Sequence, residues 1–291
     1  MSINPYFLLF EGMIYVLFAL VVYHASQGGR FQILELLWAA LYGFVLEWLT
    51  IKHLHAYAYG KFLIMFDQAP LCIALGWALV IYSSRRFSDQ LRLPEPVRPV
   101  VDALMGLSID LALDVVAIRL GMWSWTGVRF DQQWFGVPWA NFGAWFIVIW
   151  SYSGFIRALR VWQKRRWCQW IYPPVAVFLS LLALTAASAV YHVMSDNIDG
   201  GAIGPLLLVG GSLLVIVNSH PQIDRVQLPE SIVFAVPLAF HGFALFAGVG
   251  YGIFTRQPLL GAIELVILAA GTGIHLLPVW ISRLRWQQLE T

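Results

Sequence analysis

In the stretch "SIDLALDVVAIRLGMWSWTG", residues 108–127, Asp110 and Asp114 stand four residues apart, and Trp123 and Trp125 follow around a single Ser. An i, i+4 spacing puts both carboxyls on one face of a helix. Two carboxyls so close in a low-dielectric site do not readily both ionise, so one keeps its proton near neutral pH, as a general acid must. The competing reading is a structural polar pair, with Arg119 just beyond Asp114 as the counter-charge. A third acid, Glu47, precedes "IKHLHAYAYGKF", which brings His53, His55, Tyr57 and Tyr59. Trp and Tyr also form ordinary interfacial belts, so the aromatic residues count only in conjunction with the acids.

The elements that hold these residues are apolar helices. The chain has 291 residues, 59% hydrophobic and 12% charged, with mean hydropathy +0.71. Soluble domains average about 25% charged residues. Apolar runs near the length that crosses a bilayer recur from end to end, which predicts an all-α polytopic transmembrane bundle forming a single transmembrane domain over 1–291. Breaks at Pro, Gly and charge clusters give about nine spans, at 5–25, 31–51, 63–83, 99–120, 139–160, 171–193, 202–219, 231–254 and 259–281. The count falls to eight if Lys61–Pro70 lies along the interface. The N-terminus lacks the basic region and small-residue cleavage site of a signal peptide, so the first span is expected to stay.

Charge sets the orientation. Of the 18 Lys and Arg residues, all but Lys52, Lys61, Arg119, Arg129 and Arg256 fall after spans one, three, five and seven or in the C-terminal tail. That bias places the N-terminus outside and the C-terminus in the cytoplasm, and puts Glu47, the loop after it and the loop 121–138 at the same membrane face as the end of the Asp110/Asp114 helix.

Other chemistries lack their signatures. Net charge is only +2, and the basic residues follow topology, so no nucleic-acid partner is expected. Cys72 and Cys168 do not make a disulfide framework or a metal cluster. His53 and His55 lack further ligands at metal spacing, and His192, His220, His241 and His275 are scattered, which disfavours a haem or diiron centre. There is no Gly-rich phosphate loop, GxSxG or DDxxD-like motif, and none of Lys52, Lys61 and Lys164 is mid-span for a retinal Schiff base. Glu11, Glu35 and Glu264 are isolated, and read as polar groups joining helices. The glycines at 210, 211, 248, 250, 252, 271 and 273 read as close helix packing.

Two segments carry a resemblance. "HAYAYGKFLIMFDQAPLCIALGWALVIYS" (55–83), with Tyr57, Tyr59, Pro70, Gly76 and Trp77, resembles the first signature of the integral-membrane carotenoid biosynthesis proteins. "DLALDVVAIRLGMWSWTGVRFDQQWFGVPWANFGAWFIVIWSYS" (110–153) is similar to their second, through Asp110, Asp114, Trp123, Trp125, Gly136, Val137, Pro138, Asn141, Phe142 and Trp145. The match covers residues 30–220 as a carotenoid-biosynthesis-like core and leaves 221–291 as additional C-terminal spans. Val115 stands where the family usually has Pro, and the stretch after Glu47 is poorer in Gly than is typical.

The resemblance implies hydration of the terminal double bond of an acyclic carotenoid end, a lyase reaction with no redox cofactor and no metal. Protonation of one alkene carbon leaves a tertiary cation that water captures. Asp114 is the leading acid, with Asp110 or Glu47 tuning it or positioning water. Trp123, Trp125, Tyr57 and Tyr59 would face the cation, Asn141 would hold water, and Trp145 would line the substrate site. The implied partners are a hydrophobic isoprenoid or carotenoid, membrane lipid, and a homo-oligomer or a complex with other carotenoid enzymes, in a prokaryotic cell membrane. A proton-initiated cyclase and a non-catalytic carotenoid- or lipid-binding subunit are the alternatives. A proton-relay transporter stands third, because no paired interrupted helices or internal repeat supports it.

Overall fold

The computed structural model describes residues 4–197, 201–223 and 230–289. The long helices are α1 (Pro5–Gln27), α2 (Arg30–Leu49), α3 (Leu71–Asp89), α4 (Arg98–Leu120), α5 (Trp139–Leu159), α6 (Cys168–Asn197), α7 (Ile203–Asn218), α8 (Ile232–Gly250) and α10 (Pro258–Leu289), with a single turn α9 (Ile253–Arg256) before the last. Among the described residues, six helices are long and apolar enough to cross a membrane by length and composition: α1, α2, α5, α6, α8 and α10. Arg225, which bears on the orientation, lies outside the described residues, as do the side chains of His192, Arg283 and Arg285.

The centre of the bundle is the α3–α4 pair. Helix α3 packs on α1, α2, α4 and α8, and α4 packs on α3, α5, α7, α8 and α10. This placement explains their composition. A helix surrounded by protein can carry Asp102, Asp110 and Asp114, all buried, because its neighbours supply the hydrogen bonds that lipid cannot. Outer helices instead carry exposed apolar side chains, such as Leu206, Leu207 and Leu214 of α7 and Val266 of α10.

The third predicted span, 63–83, is corrected: residues 61–70 are not helical, and α3 runs from Leu71 to Asp89. Pro70 caps α3 with extended backbone, and a proline disfavours helix in the residue before it. Strands β2 (Met65–Phe66) and β3 (Ala69–Pro70) form a short antiparallel hairpin. Glu11 of α1 pins it: its carboxyl accepts the Leu63 N–H at 2.8 Å, the Ile64 N–H at 3.3 Å and the Tyr15 hydroxyl at 3.0 Å. Leu63 and Phe66 nonetheless stay exposed. Glu11→Gln removes charge-assisted bonds of about 1.5–3 kcal/mol, so hydrogen exchange at the Leu63 and Ile64 amides is expected to accelerate while the α3 and α4 amides stay protected.

At its other end α3 continues past Arg85 and Arg86, where a charge cluster suggested a stop. Both cations are paired: Arg85 with Glu35 of α2 at 2.8 Å, and Arg86 with Glu230. A neighbouring buried group joins Arg157 of α5 to Asp102 of α4 at 3.3 Å and to Ser88 at 2.9 Å. Just beyond α3, strand β4 (Leu91–Arg92) pairs antiparallel with β6 (Gln222–Ile223). These ionic groups gather at the end of the bundle opposite Glu47 and Asp114.

Candidate active site

The site is closed by a two-stranded ribbon. Helix α2 passes into a π-helical turn, Thr50–Leu54, and His55, in the left-handed conformation at φ 48°, turns the chain into strand β1 (Tyr57–Tyr59). Helix α4 ends at Gly121, with φ 77°, and enters strand β5 (Trp123–Trp125). The strands pair antiparallel, Tyr57 opposite Trp125 and Tyr59 opposite Trp123. Alternate residues of a strand share a face, so all four rings turn inward while Ala58 and Ser124 are exposed. The rings meet edge-on, with centroids 4.9 Å apart for Tyr57–Trp125 and 5.9 Å for Tyr59–Trp123. Gly60 makes the ribbon's exit sterically feasible, since a Cβ there would sit 2.5 Å from the Gly121 carbonyl.

Under the ribbon lies a cavity of about 530 Å³. Its wall includes Glu47, Tyr57, Tyr59, Asp114, Trp123, Trp125, Asn141 and Trp145. Every predicted site residue therefore reaches it except Asp110. Asp110 is fully buried behind Asp114, a placement that fits support of the acid and not contact with substrate.

The acids differ in how they are held. The Glu47 carboxyl accepts the Tyr57 hydroxyl at 2.6 Å, the Tyr59 hydroxyl at 2.8 Å and the Trp77 indole N–H at 2.7 Å. Three donors converge on this one carboxyl. Burial, then the nearby Glu47 charge, pushes both phenols well above the ordinary tyrosine range, so they remain protonated donors. Trp77 reaches Glu47 because Gly43, one turn earlier on α2, leaves room: a Cβ at 43 would lie 2.6 Å from the Trp77 Cβ. Tyr59→Phe is expected to lose about 1.5–3 kcal/mol from this charge-assisted bond, read as a lowered thermal midpoint in detergent, with Tyr57→Phe similar.

Asp110 and Asp114 share one neutral donor. The Asn141 amide nitrogen donates to the Oδ2 of each at 2.8 Å. The two carboxyls thus meet on one amide nitrogen in a buried site, where like charges so close do not readily both ionise. Arg119 is not the counter-charge of this pair. It donates to the Val115 and Phe135 carbonyls at 2.8 and 3.0 Å and to Gln257 at 3.0 Å, with its guanidinium over the Phe130 ring. The result is an acid pair on one shared amide, across an aromatic cavity from a carboxyl held by three protein donors.

Helix α4 runs unbroken through Val115, which is fully buried. The Leu111 carbonyl, one turn before Val115, also accepts the Trp134 indole at 3.2 Å. Proline at 115 would free that carbonyl from the helix ladder; the indole would still satisfy it.

Sequence reasoning missed several wall residues. Trp77 was in the first signature but was not assigned to Glu47. Phe10 of α1 and Phe240 of α8 line the cavity from outside the 30–220 core, and nothing in their local sequence marks them. The isolated acids resolve differently. Glu11 and Glu35 join elements, as expected, whereas Glu264 is buried with Oε1 unpartnered among the described residues. His53 is exposed and packs edge-on against Trp48. His241 and His275 come together at the α8–α10 seam beside Gly271; among the described residues, no three His, Cys, Asp or Glu side chains converge as metal ligands.

A family model described as carotenoid biosynthesis protein matches residues 3–210, which takes in α1 through the first half of α7. No curated protein and no solved structure matches the chain.

Proposed function

We propose, since the chain belongs to the carotenoid biosynthesis protein family, that this integral membrane protein hydrates the terminal double bond of an acyclic carotenoid end group. The observation that carries this reading is the buried Asp110–Asn141–Asp114 cluster at the wall of an apolar, ring-lined cavity, where burial and like charge favour one carboxyl keeping its proton. Asp114 donates that proton to one carbon of the trisubstituted alkene. The π pair forms the new C–H bond, and the other carbon becomes a tertiary cation. Tyr57, Tyr59, Trp123 and Trp125 surround it with aromatic rings, whose faces attract a cation and offer no strong nucleophile, so it survives until water arrives. Water attacks the cation, and its surplus proton passes to a carboxylate, restoring the acid. Glu47 and Asn141 are the groups suited to hold that water. No electron transfer enters the balance.

The test is expression in bacteria that accumulate lycopene. The expected product is heavier by one water. An unchanged mass with altered absorption would instead mark cyclisation, and pigment bound without conversion would mark a carotenoid-binding subunit.

For topology, the reading is that all nine long helices cross the membrane, α3 and α4 shielded by the others, with the N-terminus outside. The segregation of Arg85, Arg157 and Arg160 to the end opposite Glu47 and Asp114 supports it. The site then faces the outer leaflet and the ionic groups the cytoplasm.

A further inference from the structure

The cavity does not end at the acids. It continues past Ala140, Gly143 and Ala144, the small side chains of α5, and reaches Leu184 and Ser188 of α6 and Leu208 of α7. Among the described residues, helix α5 packs on both α6 and α7, whereas α6 and α7 touch each other little. Near one end they are tied: the Tyr191 hydroxyl donates to the Gly201 carbonyl at 3.0 Å and its ring lies against Gly204. Away from that tie a slot remains, and Gly143, Ala144 and Ser188 are solvent-accessible within it.

We infer that this outer lobe is the subsite for the apolar chain of the substrate and that it opens laterally into the bilayer between α6 and α7. The inference rests on the carotenoid reading for the identity of the occupant. A cavity of about 530 Å³ is of the size that encloses a drug-sized ligand. A straight, rigid polyene with one end at Asp114 follows that lobe toward the slot. The small α5 residues give it a path, the slot lets it pass without crossing water, and the Tyr191 tie directs it toward the middle of the membrane. One end reacts while the other stays in lipid, so the protein handles each end separately.

The experiment places a thiol in the slot: Ser188→Cys, in a Cys168→Ala background, with Cys72 left in place because it is buried. Protein in lipid vesicles is labelled with a membrane-dissolved maleimide, with and without lycopene in the bilayer. Two-thirds occupancy slows labelling about threefold. Leu206→Cys, on the lipid-facing side of α7, is expected to label at one rate in both. Conversion of lycopene is measured on the same preparations. Conversion without protection of position 188 overturns the chain subsite alone. Protection without conversion keeps the subsite and overturns hydration, and neither effect overturns both.

Discussion

Asp114→Asn is expected to abolish hydration while the protein still folds into the membrane. Positioned general acids contribute about 10^2–10^4-fold, and the loss should fall in that range or below detection. The substitution keeps shape and leaves Asn141 an oxygen to donate to, so the cluster persists, but an amide has no acidic proton to give. Asp110→Asn should cost less, because Asp110 touches Asp114 and Asn141 and does not line the cavity. The double variant is expected to match Asp114→Asn alone, since residues acting as one unit are not additive. The measurement is product formed per unit of membrane-inserted protein. Full activity in Asp114→Asn would transfer the acid's role elsewhere in the cavity.

The second large effect is on stability, at the other end of the bundle. Glu35→Ala should lower the thermal midpoint in detergent by roughly 10 °C, from a loss of about 3–5 kcal/mol. The Glu35 carboxyl accepts from Arg85 at 2.8 Å, from Arg160 at 3.0 and 2.9 Å and from the Tyr172 hydroxyl at 3.0 Å. It thereby joins α2 to α3, to the turn after α5 and to α6. Arg85 is only 5% exposed, and without Glu35 it becomes a buried cation facing a cavity. Whole domains are stable by about 5–15 kcal/mol, so one such loss is a large fraction. The contrast is Asp131→Asn, which breaks a pair with Arg129 whose side chains are 75% and 65% exposed. Exposed pairs contribute about 0–1 kcal/mol, and no measurable shift is expected there. Equal effects of the two substitutions would show that the Glu35 cluster is not a structural tie.

Much of the helical architecture was legible in the chain because crossing a bilayer demands length and apolarity, and both are written residue by residue. The fourth and fifth spans, expected at 99–120 and 139–160, lie within a residue of α4 and α5. The third failed at its start for a reason local pattern hides. Leu63, Ile64, Met65 and Phe66 read as helix by hydropathy alone. Their backbone is instead held as a turn and hairpin by Glu11, 52 and 53 positions from the amides it binds. The third also failed at its end, because Arg85 and Arg86 look like a boundary until Glu35 and Glu230 are seen to pair with them.

For the site, the sequence alone determined the ingredients: an i, i+4 acid pair, a separate Glu, and Tyr and Trp residues alternating on either side of single small residues. Spacing along a helix fixes which face a side chain takes, so Asp110 and Asp114 had to be neighbours, whereas Tyr57 shares a side with Tyr59 only because 57–59 is a strand. Only the tertiary structure decided the rest. It paired β1 with β5, put Asp110 behind Asp114, turned Arg119 away from both, and gave Glu47 its third donor through the gap left by Gly43. Those choices depend on which helices approach and how closely, a property of packing between segments distant in the chain that no single segment encodes.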